Sequence, residues 1–130
     1  MMGDLGVKTG SREEFIDITD EIQREVQASG VGEGLCHVFV PHTTCGVTVN
    51  EGYDPAVRED VVAHLRKQVP QAAGWKHAEG NSDSHVKSVV VGPSLVLPVA
   101  GGRLRLGRWQ AVFFCEFDGP RERTVWVTVR

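Results

Sequence analysis

The chain has 130 residues, 41% of them hydrophobic and 24% charged, which places it in the range of one soluble domain and excludes disordered and collagen-like polymers. Its longest apolar run, around residues 88–97, is broken by Gly92 and Pro93 and falls far short of the ~20 residues that span a bilayer, so no membrane partner is expected. A net charge of −3 argues against a general nucleic-acid binder, and three cysteines without C-x-x-C spacing fit a reducing compartment and form no zinc ribbon.

We expect a single domain over residues 1–130, with residues 1–14 as a loose tail. Residues 1–11 lack a secretory h-region, and a cytoplasmic location follows as the default expectation. Helical periodicity appears first at residues 19–29, where Ile18, Ile22 and Val26 recur every four positions and Gly30 stands at the stop. Residues 35–40 and 44–51 are rich in Val, Thr and Phe and read as strands separated by a turn at Pro41-His42. Asp54 and Pro55 then form an N-cap and N1 pair for a second helix, striped by Val57, Val61, Leu65 and Val69 and closed by Pro70. Further strands are expected at 86–91, 95–99, 103–106, 109–117 and 123–130, punctuated by Gly92-Pro93, Gly101-Gly102, Gly107 and Asp118-Gly119-Pro120. Seven closely spaced strands and two one-faced helices predict an α+β fold: a mostly antiparallel, β-rich sandwich with two helices packed outside.

The densest polar segment is His77 to His85. Its odd positions are His77, Glu79, Asn81, Asp83 and His85, so an extended backbone displays five potential ligands on one side. A second signal runs from His42 through Thr44 to Glu51, a strand that ends in a carboxylate. These segments supply the catalytic candidates Glu51, His77, Asn81 and His85. His42, His77 and His85 together can offer three imidazoles to a divalent metal, zinc by donor type; carboxylates such as Glu51, Glu79 or Asp83 suit magnesium beside a phosphorylated ligand. The final 28 residues carry 6 arginines against 3 acids, whereas residues 1–102 carry 8 basic against 14 acidic residues. Arginine's planar fork matches phosphate, and Arg121, at the exit of a predicted hairpin turn, is the candidate clamp, with the hydroxyls of Ser82, Ser84 and Thr44 as further ligand contacts. Trp109 reads as a core residue.

Four segments carry a wider likeness: His42 to Glu51, His77 to His85, Leu104 to Gln110, and Glu116 to Arg121. In this order they resemble the YjbQ-like family, whose members are often labelled secondary thiamine-phosphate synthases. The resemblance covers about Phe15 to Arg130. It implies a jelly-roll-like sandwich, a homotrimer, and polar residues clustered at a cleft between subunits. The activity it implies joins a pyrimidine-methyl diphosphate to a thiazole phosphate with release of diphosphate. Arg108 departs from the likeness, because similar sequences carry a small residue there. A metal-dependent hydrolase or isomerase of a phosphorylated metabolite, and a non-catalytic metal- or ligand-binding trimer, are the alternative readings.

Overall fold

A computed structural model describes residues 2–130. The elements in chain order are β1 (Met2–Lys8), β2 (Glu14–Asp17), α1 (Thr19–Ser29), β3 (Gly34–Phe39), β4 (Cys45–Glu51), α2 (Pro55–Gln68), α3 (Ser82–Val91), β5 (Ser94–Ala100), β6 (Arg103–Leu104), β7 (Gln110–Glu116) and β8 (Glu122–Val129). They form two antiparallel sheets, ordered β1-β8-β3-β5-β6 and β2-β7-β4. The expected β-rich antiparallel sandwich of the α+β class is therefore present. Among the described residues, no helix is long and apolar enough to cross a membrane.

The core lies between the sheets. Val38, Val125 and Val127 of the larger sheet meet Val47, Val112 and Phe114 of the smaller one, and Ile22 and Val26 of α1 complete the same cluster. β7 is buried on both faces, because the other side of the smaller sheet carries Phe15, Phe113, Cys115 and Phe117 under α2 and α3. Its nearly continuous apolar run has that cause. Both predicted helices form, α1 ending on Gly30 in the left-handed region and α2 starting on Asp54, whose carboxylate accepts the Ala56 amide at 2.9 Å.

Two expectations fail. The loose tail over 1–14 does not hold for residues 2–8, which form β1 and pair along β8 from Met2 opposite Thr128 to Lys8 opposite Glu122. Glycines at positions 3 and 6 hide the inward alternation of Leu5 and Val7. Residues 86–91, expected as a strand, belong to α3, which also takes up 82–85 and so removes the extended display of five ligands. This helix turns its polar side inward: Asp83, Ser84, Lys87 and Ser88 are buried, while Val89 and Val90 are exposed. Lys87 Nζ lies 2.8 Å from Asp83 Oδ2, and Arg12 holds the same carboxylate with two nitrogens at 3.0 and 3.1 Å. Ser84 and Ser88 donate to the carbonyls of Phe117 and Cys45 at 2.6 and 2.7 Å. Paired charges and hydroxyls bonded to the sheet override the weak helix propensity of the valine run.

α3 approaches β4 closely at Gly46, where a Cβ would stand 2.7 Å from the Gly92 carbonyl oxygen and 3.1 Å from a Val91 methyl. Gly46→Ala is expected to lower the unfolding free energy by about 1–3 kcal/mol, as overpacking does. Urea unfolding measures this, and an unchanged midpoint would contradict the fit described.

Candidate functional site

The polar end of the sandwich is organised by Glu116, the last residue of β7. It is fully buried, and burial alone would raise its pKa; instead the Arg123 guanidinium, the Asp118 amide and the Thr9 hydroxyl outweigh that and hold the carboxyl below its ordinary value near 4.5. Arg123, inward-facing on β8, donates from Nε to Oε1 at 2.9 Å and from NH2 to Oε2. Thr9 donates to Oε1 at 2.8 Å, while the amides of Phe117 and Asp118 reach Oε2 at 3.1 Å. Arg123 also donates to the Thr44 hydroxyl at 2.9 Å. Every acceptor position of the carboxylate is used, so this pair is a frame rather than a reacting group.

The frame fixes the turn that follows. Asp118 accepts Asn81 Nδ2 at 2.9 Å and Arg121 NH2 at 3.0 Å, and its carbonyl accepts Arg121 Nε at 2.8 Å. The Arg121 side chain remains 53% exposed, so its fork is oriented from behind and open in front. Asn81 opens α3. Its amide is oriented by Asp118, which leaves Oδ1 buried with no hydrogen-bond partner. A buried acceptor in that state calls for a donor from outside the chain. One helical turn on stands His85, whose ring meets that of His77 edge-on with centroids 5.6 Å apart; Glu79 Oε2 lies 3.5 Å from His77 Nε2. Asn81 and Arg121 thus meet on Asp118, and His85, paired with His77, follows on the helix that Asn81 opens.

The other candidates are placed differently. Ser82 is half-buried at the first position of α3, whereas the Ser84 and Thr44 hydroxyls are buried and engaged with Phe117 and Arg123. His42 Nε2 accepts the Thr124 amide at 3.0 Å, satisfying a backbone donor of β8 beyond the last residue pair that β3 makes with it. Burial, and then the Arg123 charge, push the His42 pKa below its ordinary value. A neutral ring accepting at Nε2 carries its proton on Nδ1 and has no lone pair left for a metal. Among the described residues, no group of three or more His, Cys, Asp or Glu side chains is arranged to hold a metal ion. The three imidazoles therefore do not form a metal site within one chain.

Glu51 is at the opposite end of β4, about 20 Å from Cys45 at ~3.3 Å per residue. Its Oε2 accepts the amides of Tyr53 and Asp54 at 2.7 and 3.3 Å, which shapes the entry to α2. Trp109, expected in the core, is 49% exposed beside it, edge-on to Tyr53 with Arg108 over its ring at 4.7 Å. Cys45 is fully buried, and burial drives its thiol up to about 12, as befits a small apolar residue. The Glu116–Arg123 frame was not among the expected site residues. Its available signal is a carboxylate inside an apolar strand, which requires a partner.

The family model for "UPF0047 protein YjbQ-like" matches residues 3–130. The UPF0047 protein YugU of Bacillus subtilis is 42% identical, over 98% of this chain and 97% of its own. The UPF0047 protein MJ1081 of Methanocaldococcus jannaschii is 44% identical, over 95% and 89%. Among solved structures, an uncharacterized conserved protein of the YjbQ/UPF0047 family from Clostridium acetobutylicum superposes with a TM-score of 0.96 at 43% identity, covering 98% of both chains. A YbjQ-like protein of unknown function from Sulfolobus solfataricus gives 0.95 at 33% identity, covering 99% of this chain and 95% of that one.

Because the folded-state pKa of Glu116 is depressed, the stability it contributes is complete above the ordinary carboxylate value near 4.5 and is lost as pH falls through the lower folded value. Glu116→Gln is expected to lose about 3–5 kcal/mol at neutral pH by leaving Arg123 buried without its counter-charge. Denaturant titrations across pH should show the gap between parent and variant narrowing below about pH 4.5. A gap that stays constant into acid would refute the assignment.

Proposed function

The chain belongs to the YjbQ-like UPF0047 family, and we propose on that premise that the cluster of His77, Asn81, His85, Asp118 and Arg121 binds a small phosphorylated molecule. The observation that carries this is the exposed Arg121 fork, oriented by Asp118 at two points, with the same Asp118 carboxylate holding Asn81 at the start of the helix that carries His85. Arg121 supplies a bidentate face to phosphate oxygens, and the imidazole N–H groups add donors. The orphaned Asn81 Oδ1 accepts an N–H or O–H from the non-phosphate part of the ligand.

The reaction we assign to this site is thiamine-phosphate synthase-type transfer. The thiazole nitrogen forms a bond to the pyrimidine methylene carbon as the carbon–oxygen bond to diphosphate breaks, and the electron pair leaves on diphosphate. Donors fixed in advance around the departing anion are what lowers such a barrier. Glu51 is too far along β4 to serve the same pocket in its own chain, so its role as a base or orienting group requires a second copy. A homotrimer supplies that copy, and the exposed Val89 and Val90 of α3 and Tyr53 and Trp109 beside Glu51 offer apolar surface for the contact. A divalent ion on His77 and His85 would likewise need donors from another subunit.

Calorimetric titration with inorganic diphosphate should show binding that Arg121→Gln and His85→Ala each weaken by about 10–100-fold, the worth of a charge-assisted hydrogen bond. Chromatography of reactions containing both phosphorylated substrates should show coupled product, reduced in Glu51→Gln. Absence of diphosphate binding would overturn the site. Binding without product would overturn the transferase assignment and leave a binding protein.

A further inference from the structure

A second pocket lies away from the His77–Arg121 cluster, between α2 and the outer face of the smaller sheet. Its volume is about 240 Å³, and its walls include Phe15 and Phe113 from the sheet, Val61 and Leu65 from α2, and Arg58 and Glu51. The helix above it is incompletely seated. α2 carries an apolar stripe, yet none of its residues is buried, unlike Ile22 and Val26 of α1, which are wholly inside. The gap beneath the helix is apolar space that the chain does not fill.

Arg58 gives that space its chemistry. The guanidinium carbon sits 4.7 Å over the Phe113 ring, and NH1 reaches the Phe15 carbonyl only at 3.4 Å, the long limit of a hydrogen bond. Nε is buried and has no hydrogen-bond partner. A guanidinium that has lost water at one donor, and has not gained an acceptor in exchange, is arranged for an acceptor that arrives from outside. The cavity on the other side of Arg58 is lined by Arg66 as well as Glu13, Glu14 and Glu59, and its Glu13 is already paired with Arg12, Arg66 and Lys87; on the Phe113 side Arg58 is the one cation among the described lining residues, so an anion there has Arg58 as its partner. Glu51 stands on the pocket wall as well, with Oε2 held by the α2 entry turn; it opposes a dianion close by and sets the anionic head at the Arg58 end.

We propose that this pocket is a binding site for a small organic anion, with a carboxylate or phosphate head paired to Arg58 and an apolar body laid between Phe15, Phe113 and the α2 stripe. A volume below the ~300–1,000 Å³ of drug-sized sites limits the occupant to a small metabolite. The proposal does not depend on diphosphate binding at Arg121, since Arg58 has no part in that cluster; the two readings share only Glu51, which lines this pocket and is the group that the transferase reading takes from a second copy.

Ligand-observed NMR on the full chain, with hexanoate and phenyl phosphate as probes and hexanamide and phenol as their uncharged counterparts, tests it. At least one anion is expected to bind about tenfold or more tightly than its counterpart, and the head that binds defines the class. Arg58→Gln should abolish that preference, and Val61→Phe, which fills the pocket, should abolish binding while the thermal midpoint is retained. Equal binding of charged and uncharged probes, binding unaltered in both variants, or no binding of either anion at millimolar concentration would each overturn the proposal. Diphosphate titration of Arg58→Gln should match the parent, which separates failure here from failure of the other site.

Discussion

The buried pair of Glu116 and Arg123 is the constraint on which the polar end of the molecule depends. It joins the smaller sheet to the larger one where the apolar core ends, and desolvation of both charges is offset by hydrogen bonds from Thr9 and two backbone amides and by the bond to Thr44. Replacing such a pair by apolar residues of similar size is often neutral for net stability, whereas removing one partner alone is costly. What an apolar pair cannot do is hold the 116–118 turn by its amides. That turn sets Asp118, Asp118 sets Arg121 and Asn81, and Asn81 begins the helix that presents His85. The same Arg123 charge helps keep His42 neutral, so the neighbouring imidazole serves as a backbone acceptor.

β4 acts as a rigid spacer between two ends of different character. At one end are the frame and the imidazole pair; at the other, Glu51 shapes the entry to α2 beside exposed Tyr53 and Trp109. A strand of this length cannot bend to bring its ends together, so residues that a linear motif places side by side are separated in the monomer. The arginines of the C-terminal segment divide in the same way. Arg123 is internal, Arg121 is exposed and held by Asp118, and Arg108 covers Trp109 at the far end, so local density in sequence does not become one basic patch.

Most of the fold was legible because period and punctuation agreed. α1 coincides with its predicted residues, since its apolar spacing and terminal Gly30 give the same answer, and Asp54-Pro55 marked the start of α2. The sandwich strands from β3 to β8 follow from β-branched runs broken by glycine and proline. α3 was illegible because apolar periodicity assumes that hydrophobic residues face inward, and this helix buries Asp83 and Lys87 as a pair instead. At the candidate site, polar density pointed to His77, Asn81 and His85, and turn chemistry to Arg121; the structure joins Asn81 to Arg121 through Asp118, and His77 to His85. Within one chain the geometry departs from the expectation: a helix start replaces the extended display, His42 is engaged by the Thr124 amide away from the His77–His85 pair, and Glu51 lies at the far end of β4. Each depends on contacts between residues far apart in the chain, which spacing does not encode.

The most direct measurement of the central claim is a crystal structure of the protein soaked with diphosphate. The account predicts density for the anion against Arg121 and at least one ring of the His77–His85 pair, with Asp118 still bonded to both Arg121 and Asn81. An anion found only elsewhere, or an Arg121 side chain swung away from Asp118 with the two imidazoles apart, would contradict it.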